Sequence, residues 1–249
     1  MRRRNFLAGS AAFIASPMSV ATASDAIAVS GNRFRVGEED YQLADILAPS
    51  AYTLGPATSP HADKARARLQ HHIGSSAFEY VDVSPRSRWG ARIVRSSVGD
   101  GTPLLEELLV SDGAARVAPQ TDDMTVIERL LRAERVARRD KKGLWGLDTY
   151  QVFDADDASG AIGDFHLIEG TVAGARKARS RFYLNFGDDY RTDFTASTVS
   201  MAYRKWLATG FDLASLDGVR VRIRGFVVYI NGPSVDLTHR SQIEVLSAI

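Results

Sequence analysis

The chain has 249 residues, with 31 lysines and arginines against 30 acids, enough length for one large domain or two small ones, each with its own core. It contains no cysteine, which excludes disulfides, thiol chemistry and thiolate metal sites. No run reaches the roughly 20 apolar residues needed to cross a bilayer, and the near balance of charge lacks the strongly basic footprint of a nucleic-acid binder.

At the N-terminus, Arg2-Arg3-Arg4 precede Asn5-Phe6-Leu7 and an apolar stretch to Val20, broken by Gly9, Ser10 and Pro17. Ala21-Thr22-Ala23 then gives a small-x-small cleavage pattern. This resembles a twin-arginine signal peptide over residues 1–23, which predicts a periplasmic or secreted protein exported in the folded state. Its removal takes away three arginines and no acid, leaving the remainder mildly acidic.

Residues 26–36 and 41–46 alternate apolar and polar types around Gly37-Glu38-Glu39-Asp40, which predicts a β-hairpin. A loop marked by Pro49, Gly55 and Pro56 leads to a helix with Ser59 as N-cap and Pro60 at its first position. Its apolar stripe is Ala62, Ala65, Leu69 and Ile73, and Gly74 stops it. Lys64, Arg66 and Arg68 form a solvated face. Residues 78–83 alternate again as a strand. A turn at Trp89-Gly90, a strand, an Asp100-Gly101 hairpin and a leucine helix opened by Thr102-Pro103 and closed by Asp112-Gly113 follow. Thr125 and Glu128 have the spacing of a capping box, and Val126, Leu130, Ala133 and Ala137 make a helical stripe ending before Gly143.

Residues 151–163, rich in Asp, Ser and Gly, are expected to be a linker. Beyond them, residues 167–172, 182–186, 192–199, 219–230 and 234–245 are five candidate strands, with one helix at 201–208 around Trp206. That order fits an OB-type barrel. Arg220, Arg222 and Arg224 alternate with apolar residues and so share one strand face. Such a face is either an anion-binding or nucleic-acid platform, or a solvated outer surface with paired acids. Tyr183, Phe186 and Phe194 are either stacking residues or core. His61, His71 and His72 bracket one helix, with His61 about three turns from His71, too far for one metal.

The segment Arg86-Ser87-Arg88-Trp89-Gly90-Ala91-Arg92, the helix Leu104-Leu105-Glu106-Glu107-Leu108-Leu109, the return to Val117-Ala118-Pro119 and the closing Gly143-Leu144-Trp145-Gly146 resemble the staphylococcal-nuclease-like (thermonuclease) family over roughly residues 26–147. The segments Tyr183-Leu184-Asn185-Phe186-Gly187, Asp193-Phe194-Thr195, Val221-Arg222-Ile223-Arg224-Gly225 and Asn231-Gly232-Pro233 resemble a module often appended to such proteins. The resemblance implies a mainly β protein with helices: a nuclease-like OB-type barrel with three helices at 24–150, then an OB-like barrel at 164–249. In that family, acidic oxygens hold calcium, a glutamate activates water and two arginines neutralise the phosphate. Carried over, the metal positions fall on Asn32 and Leu47, the arginines on Gln42 and Ala91, and the base on Ser50. None keeps the family's chemistry, and only Asp45 and Arg92 could rescue it by a shift of register. The expectation is therefore an inactive nuclease fold acting as a binding or scaffolding module, with no cofactor. Its partner would be an unknown protein or an anionic ligand, nucleic acid being weakly supported. The alternative is a divergent calcium-dependent nuclease.

Overall fold

The computed structural model describes residues 19–21, 25–50, 59–99 and 103–246. Most of the expected signal peptide, Asp100-Gly101 and Thr102 lie outside them. The first unit is built from β1 (Ser19–Ala21), β2 (Ala26–Ser30), β3 (Arg33–Val36), β4 (Glu39–Leu43), β5 (Ile46–Leu47), β6 (Phe78–Ser84), β7 (Arg92–Val98) and β8 (Arg116–Val117). Residues 26–36, expected as one strand, are a hairpin in themselves. They turn at Gly31-Asn32, because a side chain at Gly31 would place its Cβ 2.5 Å from Ala48 and 2.6 Å from Ala65.

The six-stranded order is β1-β6-β7-β4-β3-β2, with β4 and β7 parallel and the other neighbours antiparallel. Strands β1 and β2 are consecutive in the chain yet stand at opposite ends of that order, so the sheet curls towards a barrel. Strand β1 falls within the residues expected to be cleaved, and it pairs with β6 through Ser19–Ala21.

Phe34, Tyr41, Phe78 and Tyr80 pack ring to ring in the barrel core, with Phe34 and Tyr41 stacked at 5.1 Å. Each such buried ring contributes about 1.5–3 kcal/mol. Helix α1 (Ser59–Ser75) buries Ala65, Leu69 and Ile73 against them, and α2 (Leu105–Ser111) buries Leu105, Leu109 and Val110. Helix α3 (Met124–Arg139) starts two residues earlier than Thr125 predicts. The Asp123 carboxylate accepts from the Val126 N–H at 3.1 Å, so the expected capping box does not form. The earlier start turns Ile127, Leu130, Leu131 and Ala137 inward, while Val126 and Ala133 are only partly buried.

The second unit contains β9 (Phe153–Asp154), a 3-10 turn at Ala155–Ala161, β10 (Phe165–Thr171), β11 (Gly174–Ala178), β12 (Arg181–Asn185), β13 (Thr195–Val199), α4 (Ser200–Ala208), β14 (Arg220–Tyr229), β15 (Pro233–Asp236) and β16 (Ile243–Val245). The expected linker is thus ordered structure. Ala155, Ala158 and Ala161 are buried in this unit's core, an apolar spacing hidden in the sequence by the intervening acids. The five expected strands become eight: residues 153–154 and 174–178 add one each, and 234–245 divides in two around a 3-10 turn.

The order β11-β12-β13-β15-β14-β10-β9 again places two consecutive strands, β10 and β11, on opposite sides of the sheet. Strands β13 and β15 are parallel. The helix falls between the third and fourth strand positions in both units. Two barrels of the same connectivity therefore follow one another in a mixed α+β chain that is mostly sheet. Phe182, Phe186, Phe194 and Trp206 fill the second core, which removes Phe186 and Phe194 as surface stacking residues. Among the described residues no helix is long and apolar enough to cross a membrane.

Candidate functional site

The strand β4 and the turn after it present the positions at which a nuclease of this fold would hold metal and phosphate. Asn32 is buried; its side-chain amide donates to the Ile46 carbonyl at 3.2 Å. Leu47 packs beside Trp145 and Phe165, and Ala91 is fully buried, its N–H donating to the Ser87 hydroxyl at 3.2 Å. Gln42 and Leu47 line a cleft of about 420 Å³ whose far wall is Phe165, Phe226 and Val228 of the second barrel. The cleft is mostly apolar, with Asp236 its single carboxylate, where a hard cation would need several. This donor set does not fit calcium, and among the described residues no three His, Cys, Asp or Glu side chains gather as metal ligands.

Asp45 and Arg92 have separate employment. Asp45 adopts φ 60°, which aspartate tolerates better than most residues, and this turns its carboxylate inward. There it accepts the N–H groups of Gln120 and Thr121 at 2.7 and 2.8 Å, the Thr121 hydroxyl at 2.7 Å and Arg95 at 2.6 Å. Burial opposes its charge, but these donors outweigh it and hold the carboxyl below its ordinary pKa. Arg92 reaches the opposite way, donating to Asp82 at 2.9 Å with its guanidinium 5.3 Å from the Tyr41 ring. Asp82 raises its pKa further.

Glu106 was not singled out by sequence. It is fully buried on α2 and accepts from the Ser96 N–H at 3.3 Å. Burial pushes its carboxyl up to about 8, against the pull of Arg95. A charged residue inside a run of leucines was the available signal.

Arg220, Arg222 and Arg224 do share a face, but not one open to a ligand. Arg224 is completely buried against the first barrel. It donates to the Val117 carbonyl at 3.0 Å, lies 2.8 Å from Glu134 on α3 and also binds Glu244. Burial works against its charge, and the two carboxylates more than compensate, raising its pKa. Arg222 donates to Glu169 at 2.8 Å and lies 3.5 Å from Glu244; Arg220 lies 3.5 Å from Glu169. Glu134 in turn accepts the Val117 N–H at 2.7 Å. Of the three arginines expected to bind an anion, Arg224 joins the barrels, while Arg222 and Arg220 pair with acids of the second barrel itself.

A second buried arginine crosses the same junction. Arg116 of β8 donates to the Phe165 carbonyl, lies 3.8 Å from Asp164 and stacks over Tyr150 at 4.8 Å. Burial lowers its pKa, and with Arg116 close by, burial takes His166 down to about 4, so that imidazole is neutral at pH 7. Trp145, Phe165, Leu167 and Ala137 form the apolar part of the junction. Of the histidines of α1, His61 meets the Tyr150 ring edge-on at 6.3 Å and His72 pairs with Asp112 at 2.8 Å.

The first unit is a helix-bearing barrel of OB type. Residues 40–146 match the model of the Staphylococcal nuclease homologue family. They therefore carry a staphylococcal-nuclease-like domain, which stops before the second barrel. No curated protein matches the chain.

Proposed function

We propose that this is an exported nuclease-like protein that no longer hydrolyses phosphodiesters and serves as a binding or scaffolding module, its second unit an OB-like barrel. The observation that carries the reading is the occupant of the family's substrate face. By resemblance its working positions fall on Asn32, Gln42, Leu47, Ser50 and Ala91, and Leu47, partly buried, packs against the cluster that holds Phe165 of the second barrel. Neither a general base nor a pair of phosphate-neutralising guanidinium groups can be assembled there. The rescue by Asp45 and Arg92 finds no support, since one carboxylate is spent on buried donors and the other side chain on Asp82. Export by the twin-arginine route rests on the residues 1–23 pattern.

The test is hydrolysis of single-stranded DNA and RNA by the purified protein, in calcium and in chelator. Equal, negligible release in both is the expected result. Calcium-dependent release abolished in an Asp45→Ala, Arg92→Ala double variant would restore the divergent-nuclease reading.

A further inference from the structure

The second barrel has a groove of about 880 Å³ over the outer face of β11, β12, β13 and β15, lined by none of Arg220, Arg222 and Arg224. Cross-strand pairing sets its floor. Tyr183 is opposite Arg176 on one side and Ser197 on the other, and Thr195 is opposite Ser234. Thr195, Ser197 and Ser234 are buried, so the floor is a row of small hydroxyls. The alternate residues Phe182, Leu184, Ala196 and Val235 point the other way into the core. The groove thus rests on rigid, packed strands rather than on loops.

Its rim carries charge and rings. Arg179 stands in the β11–β12 turn at φ 52° and Tyr190 lies in the β12–β13 connection, half exposed. Arg176 and Arg179 are exposed, and neither has an ion-pair partner among the described residues. Arg181, by contrast, is fixed in place by Asp236 and Ser197. Unpaired guanidinium groups beside phenol rings, over a row of small hydroxyls, combine a phosphate rail with stacking surfaces for bases.

We propose that this groove binds single-stranded nucleic acid. The guanidinium groups of Arg176 and Arg179 meet the phosphodiester backbone, and Tyr183 and Tyr190 stack on bases. A sulfated glycan would use the arginines but would have no base to stack on the rings, and so the rings favour the nucleic acid. The groove adjoins the cleft at Gln42 and Leu47, sharing Val228 and Asp236 with it, but its arginines and rings all belong to the second barrel.

The experiment is fluorescence anisotropy of a labelled oligothymidylate titrated with the full chain in chelator, across a salt series. Binding that weakens as salt rises is expected. Arg176→Ala with Arg179→Ala should weaken it at least tenfold and flatten the salt slope. Tyr183→Ala should weaken it about tenfold, while Tyr183→Phe keeps it, because stacking needs the ring and not the hydroxyl. An Arg88→Ala control removes one exposed charge from the first barrel and should change little. Absence of binding at low salt overturns the proposal, as does binding that the groove variants leave untouched. Arginine-dependent binding that ignores Tyr183→Ala, with a heparin-type oligosaccharide held equally well, would assign the groove to a glycan and overturn it too. Because binding is read in chelator, cleavage in calcium would sink only the reading of the first barrel.

Discussion

The guanidinium of Arg224, on the second barrel, lies 2.8 Å from the Glu134 carboxylate on α3 of the first, and neither side chain has any exposure to solvent. A charge pair of this kind is costly to desolvate and is stabilising only while both partners are present. Arg224→Met leaves Glu134 and Glu244 facing a vacant, dry position. It should lower unfolding stability by about 3–5 kcal/mol, measured by denaturant titration. Arg224→Met combined with Glu134→Gln should recover a substantial part of that loss; simple additivity of the two would contradict the pairing.

Glu106 and Asp45 should give stability opposite dependences on pH. The Glu106 carboxyl is raised to about 8, so the folded state holds a proton that the unfolded chain has released above its ordinary value of 4.5. Its contribution is complete below about 4.5 and is lost as pH rises towards 8. Glu106→Gln should therefore gain stability over the native chain as pH rises from 5 to 8, by on the order of 1–3 kcal/mol. A gain that is flat across this range would refute the assignment of the proton.

Asp45 is held below its usual value, so its contribution is present above the ordinary carboxyl pKa and is lost as the solution becomes acid. Asp45→Ala orphans the Gln120 and Thr121 N–H groups and Arg95. The expected cost is about 3 kcal/mol at neutral pH, shrinking in acid, read by thermal unfolding. An Asp45→Ala protein as stable as the native one would mean the carboxylate is not a structural anchor.

Gly31 allows α1 to lie directly on the β2–β3 turn. Gly31→Ala would put a methyl 2.5 Å from the Ala48 Cβ, and forcing these apart should cost about 1–3 kcal/mol. The pair Gly31→Ala with Ala65→Gly, which opens space on the helix side, should be less destabilised than the sum of the single changes in equilibrium unfolding.

Much of the local structure was written in the chain. Alternation marked β4, β6, β12 and β14, and the Ala65, Leu69, Ile73 spacing marked α1, because burial of one face imposes a period on the residues themselves. The start of α3 was misjudged, since Thr125-x-x-Glu128 has the right spacing but Asp123 reaches the Val126 N–H first. Ala155, Ala158 and Ala161 were taken for linker because small apolar residues among acids carry little hydrophobic signal, although together they seat the second barrel's core.

The sequence by itself determined which residues the nuclease resemblance reaches, Asn32, Gln42, Leu47, Ser50 and Ala91, and that Arg220, Arg222 and Arg224 share a side of one strand. Side-chain type and strand parity are properties of the chain alone. Only the tertiary structure decided that Arg224 meets Glu134 and Glu244 rather than solvent, that Leu47 packs beside Phe165, and that Arg176 and Arg179, beside Tyr183, have no ion-pair partner among the described residues. Partners such as Glu134 and Arg224 are 90 residues apart, and no local periodicity encodes what is packed against a face; the docking of one barrel on the other chooses it.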